Sequence, residues 1–395
     1  MRQSAPSLRI DQVRAMDQDH FAALLRDQPV CEVALDDDTT AWLVLGHAEV
    51  RQVLTDPRFR REAASSGLTG SAGTAAKPRS LHMDGPAHRE MRALVAHAFS
   101  RRAVERMRPA VTEVCSGLLT ELVAAGPPAD LVGQFATPMS LAVIGEVLGL
   151  SVTAEEHEAI RVWTRSKLSQ AVTDQDAVRT SGLHLFHYFQ AQIAAQRERP
   201  SGGLTAQLVA ACDEQQLTEM ELLQLLMMLF AAGHETTVEA VTRAVLQLLR
   251  GPAQLDRLRQ RPELLEIAVE ELLRRQFGPT VGVDRGRVAA EDVTLGSVAI
   301  RQGEAVMVSL DAANHDARVF PDPKRLDLGR QPNPHLSFGD GPHFCLGAAL
   351  ARLELEVALR SLIWGLPALA EVDPPPAAEP AHPPLGSIRQ LMVRW

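Results

Sequence analysis

The chain has 395 residues, of which 46% are hydrophobic and 23% charged, and it carries a formal net charge of -9. That length can bury a substantial core as one large domain or two to three smaller ones, and the composition is that of a soluble globular protein. No Lys/Arg-rich block stands against the acidic balance, so nothing points to a nucleic-acid partner. The cysteines at 31, 115, 212 and 345 form no CxxC pair, which argues against a disulfide framework or a zinc knuckle and for a reducing cytoplasm.

The N-terminus leads into charged sequence without an apolar leader core, and the longest apolar run, 225–233, is too short to span a bilayer. Neither a signal peptide nor a membrane anchor is expected. Residues 1–30 read as a polar lead-in with a short helix. The segments 30–35 and 41–45, split by the acidic turn 36–38, read as a β-hairpin, followed by a short helix through Val50, Val53 and Leu54. Residues 63–80 are small and polar, a long loop of the kind that serves as a lid or binding loop. Asp84-Gly85-Pro86 opens another helix, on which His88 and Arg92 share a face. Helical patterns dominate from about 101 to 275. Beyond about 276 short apolar segments alternate with turns, which suggests a small β-rich portion attached to a large helical one, with no linker marking a boundary.

Within the helical part, Thr218-Glu219-Met220-Glu221 has the form of a capping box, and the helix it starts is expected to run to Arg250, where Gly251-Pro252 stops it. Its length of roughly 48 Å would cross a whole domain. Residues 222–232 are apolar on nearly every face, so the helix must be buried there. In its middle stands Ala232-Gly233-His234-Glu235-Thr236-Thr237. A glycine costs about 1 kcal/mol there relative to alanine, and a carboxylate beside hydroxyls in a buried helix needs partners. Local rules broken together mark a functional site. A zinc-protease reading fails because residue 238 is valine and not histidine.

Two further constellations follow. Glu271 and Arg274, at i and i+3 near the end of an amphipathic helix, can form an ion pair. Residues 338–347 place Cys345 in a glycine-rich turn ahead of a helix built on Leu346, Leu350, Leu353 and Val357. There the unpaired N–H groups and the macrodipole favour a thiolate, which is a metal ligand, and the glycines let something large and flat approach. An inert buried cysteine would fit the same turn, and the rest of the chain decides between them.

Together these stretches resemble the cytochrome P450 family over nearly the whole chain, from about residue 30 to 395. The family's cysteine pattern, Phe-Gly-x-Gly-x-His-x-Cys-x-Gly-x-x-Leu-Ala-Arg-x-Glu, is met at every fixed position of 338–354, and its oxygen-binding helix pattern is met by 232–237. Its Glu-x-x-Arg pair is matched by Glu271 and Arg274, with Arg325 as third member of that structural cluster. Leu326, where the family usually has phenylalanine, and Met392, where proline is frequent, depart from the pattern.

The resemblance implies a mainly α fold with a small β-rich portion formed by the N-terminal hairpin and residues about 276–310 and 380–395. The chain would be one cytochrome P450 domain over 1–395, with haem buried between the long central helix and the cysteine-loop helix. It implies haem b with Cys345 as proximal thiolate ligand and dioxygen as co-substrate. His88, Arg92, Arg287 and His343 would hold the propionates, and Phe338, Gly339 and Gly347 would lie on the thiolate side. Ala232 and Gly233 would line the distal face, where Glu235 and Thr236 would deliver protons. A small hydrophobic or semi-polar substrate would meet the 63–80 loop, the region around 165–185, Met228, Ala231, Val281, Val283, Arg285 and Ile388. Arg285 would pair with a propionate or with an anionic substrate. The implied activity is monooxygenation, most simply hydroxylation, in secondary metabolism, by a cytoplasmic monomer supplied by ferredoxin and ferredoxin reductase. The proximal docking face would carry Arg89, Arg101, Arg102 and Arg352. Oxidative coupling on the same haem, or a haem-based carrier or sensor, would use the same scaffold.

Overall fold

The computed structural model describes residues 8–14, 16, 18–35, 39–61, 80–150, 152, 156, 175–276, 286–372 and 388–395. These divide into two compact units, one drawn from 8–61, 81–88 and 270–345, the other from Ser80, 89–269 and 346–395.

The first unit is organised by a six-stranded sheet in the order Leu8–Arg9, Val30–Ala34, Thr40–Val44, Ala305–Val308, Arg287–Ala289, Phe59–Arg60. The expected hairpin is its centre, with Cys31 opposite Leu43 and Val33 opposite Ala41, and Thr40–Val44 then pairs in parallel with Ala305–Val308 through Trp42 opposite Val306. Alternation puts Val44, Val306 and Val308 on one face, where they pack with Val50 and Leu54 of the helix His47–Thr55 and with Phe59, Leu295 and Leu336. That helix becomes a brace for the segment that carries Cys345.

The second unit is helical. The capping box forms as expected: Glu221 N–H donates to Thr218 Oγ1 at 3.2 Å, and Thr218 N–H donates to Glu221 Oε2 at 2.9 Å. The helix it opens runs over Glu219–Leu249, 31 residues or about 46 Å, and ends before Gly251-Pro252. It packs on the helices Thr137–Leu148 and Ala348–Gly365, and the latter packs on Arg108–Ala125. Thr137–Leu148 buries Met139, Leu141, Val143, Ile144, Val147 and Leu148, so it is apolar on most of its circumference and is enclosed. The strand Met392–Arg394 lies in this unit, between Ala370–Glu371 and Ala129–Asp130, and does not join the six-stranded sheet. No helix among the described residues is long and apolar enough to cross a membrane.

Candidate active site

The cysteine turn is built by backbone chemistry. Gly339 and Gly341 adopt φ of +71° and +68°, and Cys345 N–H donates to the Phe338 carbonyl at 2.8 Å, closing the turn. A Cβ on Gly341 would lie 2.5 Å from the Leu54 carbonyl, so only glycine lets the turn rest on the end of helix His47–Thr55. Asp340 holds it from the other side: Gly341 N–H donates to Asp340 Oδ1 at 2.7 Å, and Arg51 Nε donates to Asp340 Oδ2 at 2.7 Å. Phe338 sits between His335 and Phe344, with ring centroids at 6.0 and 6.3 Å. Cys345 stands three residues ahead of Ala348, the first residue of the following helix.

Among the four cysteines, all free, Cys345 alone is exposed. Burial pushes the Cys31 thiol up to about 11, and burial reinforced by Glu354 pushes Cys115 up to about 12, so both are inert thiols. The donor set fits a haem. A soft sulfur donor stands at an exposed position, and a Cβ built on Gly347 would meet no heavy atom within 4 Å, which leaves room for a flat ring.

Beside this turn, His343 Nε2 lies 2.9 Å from Asp84 Oδ1, and the rings of His343 and His88 have centroids 4.3 Å apart. Arg287, at the start of its strand, is 4% exposed and donates from Nη1 to the Gly286 carbonyl at 3.1 Å. Arg92 is half-buried one turn beyond His88 on the helix Gly85–Ala96.

Glu271 and Arg274 are fully buried, not a surface pair. Arg274 donates to both Glu271 oxygens at 2.8 and 2.9 Å. The third member of the cluster is Arg330, whose Nε donates to Glu271 Oε2 at 3.1 Å and whose side chain is 9% exposed. Arg325 does not take that place: its side chain is 63% exposed, 3.9 Å from Asp327, and its carbonyl accepts from Arg330 Nη2. Arg325 stays open to solvent, whereas Arg330 finds Glu271 and the Pro321 and Asp322 carbonyls at once.

In the other unit, the long helix shows what its polar interruption is for. Around that interruption Gln224, Met228, Ala231, Ala232 and Thr236 are exposed or half-buried at helical spacing and form one open stripe, with Met227 and Gly233 half-buried beside it. Thr236 Oγ1 donates to the Ala232 carbonyl at 2.6 Å, and Thr237 Oγ1 donates to the Gly233 carbonyl at 3.0 Å. Glu235 is 3% exposed. Gly233 is a glycine because the helix Thr137–Leu148 comes close: a Cβ there would lie 2.6 Å from Ile144 Cδ1. Ile388 is half-buried, while Val281, Val283 and Arg285, with 63–79 and 165–174, lie outside the described residues.

Sequence reasoning did not single out Arg330 or Asp84 for these roles, and neither had a signal.

The protein-family model for cytochrome P450 matches residues 157–376. The chain is 42% identical over 360 residues to nocardicin C N-oxygenase of Nocardia uniformis subsp. tsuyamanensis, covering 90% of this chain and 89% of that protein. It is 36% identical over 380 residues to the cytochrome P450 monooxygenase PikC of Streptomyces venezuelae, covering 95% and 90%. Among solved structures, HinD with NMFT and NO superposes with a TM-score of 0.87 at 37% identity, covering 100% of both chains. The chain belongs to the cytochrome P450 family. It is a monooxygenase of the bacterial secondary-metabolism type, with haem iron, dioxygen, a small-molecule substrate and a redox partner.

Proposed function

We propose that this chain, working as one monomeric cytoplasmic domain, holds haem b through the Cys345 thiolate and inserts one oxygen atom from dioxygen into a secondary metabolite. The observation that carries this is Cys345: it is the one exposed cysteine, fixed in a turn that two positive-φ glycines and Asp340 hold in place. His88, Arg92, Arg287 and His343 would hold the propionates, and Phe338, Gly339 and Gly347 would flank the thiolate face. When bound, the haem with its thiolate supplies dioxygen activation and favours O–O cleavage.

The chain's own part is to move protons and orient substrate. Thr236 spends its only donor on the Ala232 carbonyl, so its lone pairs are left to accept a hydrogen bond from a water or a reacting O–H group on the open stripe. Glu235, adjacent to it, is the proton source. Met228 and Ala231 give the stripe an apolar wall against which a hydrophobic or semi-polar substrate packs. Electrons come from a ferredoxin and its reductase, docking by charge on a face that includes Arg89, Arg101, Arg102 and Arg352.

Thr236→Ala tests the assignment. Nocardicin C and mycinamicin IV, the compounds named by two relatives, are screened for a high-spin shift of the Soret band, and turnover is followed with the compound that enters. The variant is expected to oxidise NADPH at near the wild-type rate, with product per NADPH down at least about fivefold and hydrogen peroxide up in proportion. Unchanged coupling would remove Thr236 from proton handling. Among the solved structures, CxnD, described as acting in C-S bond formation in chuangxinmycin biosynthesis, is 28% identical with a TM-score of 0.85, which keeps oxidative coupling as a second reading. Product made under isotope-labelled dioxygen separates the two, because hydroxylation or N-oxygenation incorporates the label and coupling does not. A pure carrier would show no faster NADPH use with any compound.

A further inference from the structure

Ser140 lies on the helix Thr137–Leu148, is 0% exposed, and is the one hydroxyl that this helix turns toward the middle of the long helix. Its Oγ donates to the His234 carbonyl at 3.0 Å and stands 3.4 Å from the Gly233 carbonyl. His234, also 0% exposed, places Nδ1 3.3 Å from the same Oγ. With the Ser140 proton committed to a carbonyl, the hydroxyl accepts from His234 Nδ1–H, which fixes the tautomer of that ring. One turn further along the same helix, Ile144 fills the space a side chain at 233 would need.

Three successive carbonyls of the long helix, those of Ala232, Gly233 and His234, therefore accept side-chain hydroxyls. The first two take them from the helix's own Thr236 and Thr237, and the third from Ser140. Hydroxyl bonds of this kind compete with the helix ladder and bend helices. The two threonines share the helix they bend, so they cannot fix it in space. Ser140 can, because it stands on a separate rigid element.

We propose that Ser140 is a positioning residue for oxygen activation: through the Gly233–His234 carbonyls and the His234 ring it sets where Glu235 and Thr236 stand. The inference rests on the proton-handling role given above to that pair, and it adds a residue outside every motif that identifies the family. Losing the hydroxyl removes the bonds that tie the His234 ring and carbonyl to the helix Thr137–Leu148, so the local backbone should loosen while the haem stays bound.

The test uses the full-length protein in three forms: wild type, Ser140→Ala, and Ile144→Val, which trims the same contact without removing a hydrogen bond. Hydrogen–deuterium exchange over residues 233–239 is expected to be at least about threefold faster in Ser140→Ala and within about 1.5-fold of wild type in Ile144→Val. The second readout is the rate at which the dithionite-reduced holoenzyme autoxidises on mixing with air-saturated buffer. That rate should rise by about threefold or more in Ser140→Ala, with the carbon monoxide band unchanged in position. Equal exchange in all three proteins, or equal acceleration in both variants, overturns the proposal. Exchange needs no haem, so it decides even if Ser140→Ala loads poorly. If exchange quickens but autoxidation does not change, the tie exists and the role assigned to Glu235 and Thr236 fails instead.

Discussion

Arg274→Ala should yield a chain that holds little or no haem and unfolds in urea with about 3–5 kcal/mol less stability than wild type. Arg274 is fully buried, and its three donor nitrogens serve both oxygens of Glu271, the Asn314 carbonyl at 2.6 Å and the Pro323 carbonyl at 2.9 Å. Glu271 in turn accepts from Asp327 N–H, Arg330 Nε and Asn333 Nδ2, at 3.2, 3.1 and 3.2 Å. Truncating the arginine takes the two-pronged guanidinium from a carboxylate that water cannot reach and leaves Arg330 as its cationic partner. The loss propagates along the chain: the Asn314 side chain accepts from Leu336 N–H and donates to Ser337, whose hydroxyl donates to the Leu273 carbonyl. Between Asn314 and Gly341 there is no helix or strand. Its backbone therefore depends on this cluster for partners, and it leads directly into the cysteine turn. Arg274→Lys should fail nearly as badly, since an ammonium cannot reproduce the two-pronged bond. Full haem content with a loss under about 1 kcal/mol would contradict the account.

Glu354→Gln should change how stability depends on pH. Glu354 is 2% exposed, on the face of the helix Ala348–Gly365 that meets Thr237, whose hydroxyl lies 3.3 Å from Glu354 Oε2, with Cys115 close by. Burial pushes its carboxyl up to about 8, and the Thr237 hydrogen bond only partly offsets this, so at neutral pH the native state carries it protonated. The unfolded chain ionises it near 4.5. Between about pH 4.5 and 8 the native state therefore binds more protons than the unfolded state, and wild-type stability falls as pH rises through that window. Glutamine keeps the size and a hydrogen bond to Thr237 but has nothing to ionise. Urea midpoints taken at pH 5 and pH 8 should show Glu354→Gln gaining on wild type by roughly 3–4 kcal/mol across the window. Parallel pH curves would mean that Glu354 is charged in the native state.

How much of this was legible beforehand follows the range of the interactions. The cysteine turn and the long helix were readable because their determinants are contiguous: residues 338–354 carry one unbroken pattern, and Thr218, Glu221, Gly251 and Pro252 mark both ends of the helix. The Glu271–Arg274 pair was visible as a spacing, but not its burial, which depends on chain 40 to 62 residues away. Arg325 was expected where Arg330 stands because both lie in a segment without periodicity, where nothing local says which guanidinium turns inward. The strand Met392–Arg394 pairs with Ala129–Asp130 across most of the chain, a register that a three-residue strand cannot specify by itself. Ser140 is the instructive case. Its hydroxyl in an apolar helix signals a buried partner, but the partner is a backbone carbonyl 94 residues away.

Every role assigned to the site depends on Cys345 binding iron as a thiolate. The carbon monoxide difference spectrum of the dithionite-reduced protein reads that bond directly. A strongly red-shifted Soret band in the wild type that is absent in Cys345→Ala is the predicted result. An unshifted band in the wild type, or a red-shifted band that survives in Cys345→Ala, would contradict it.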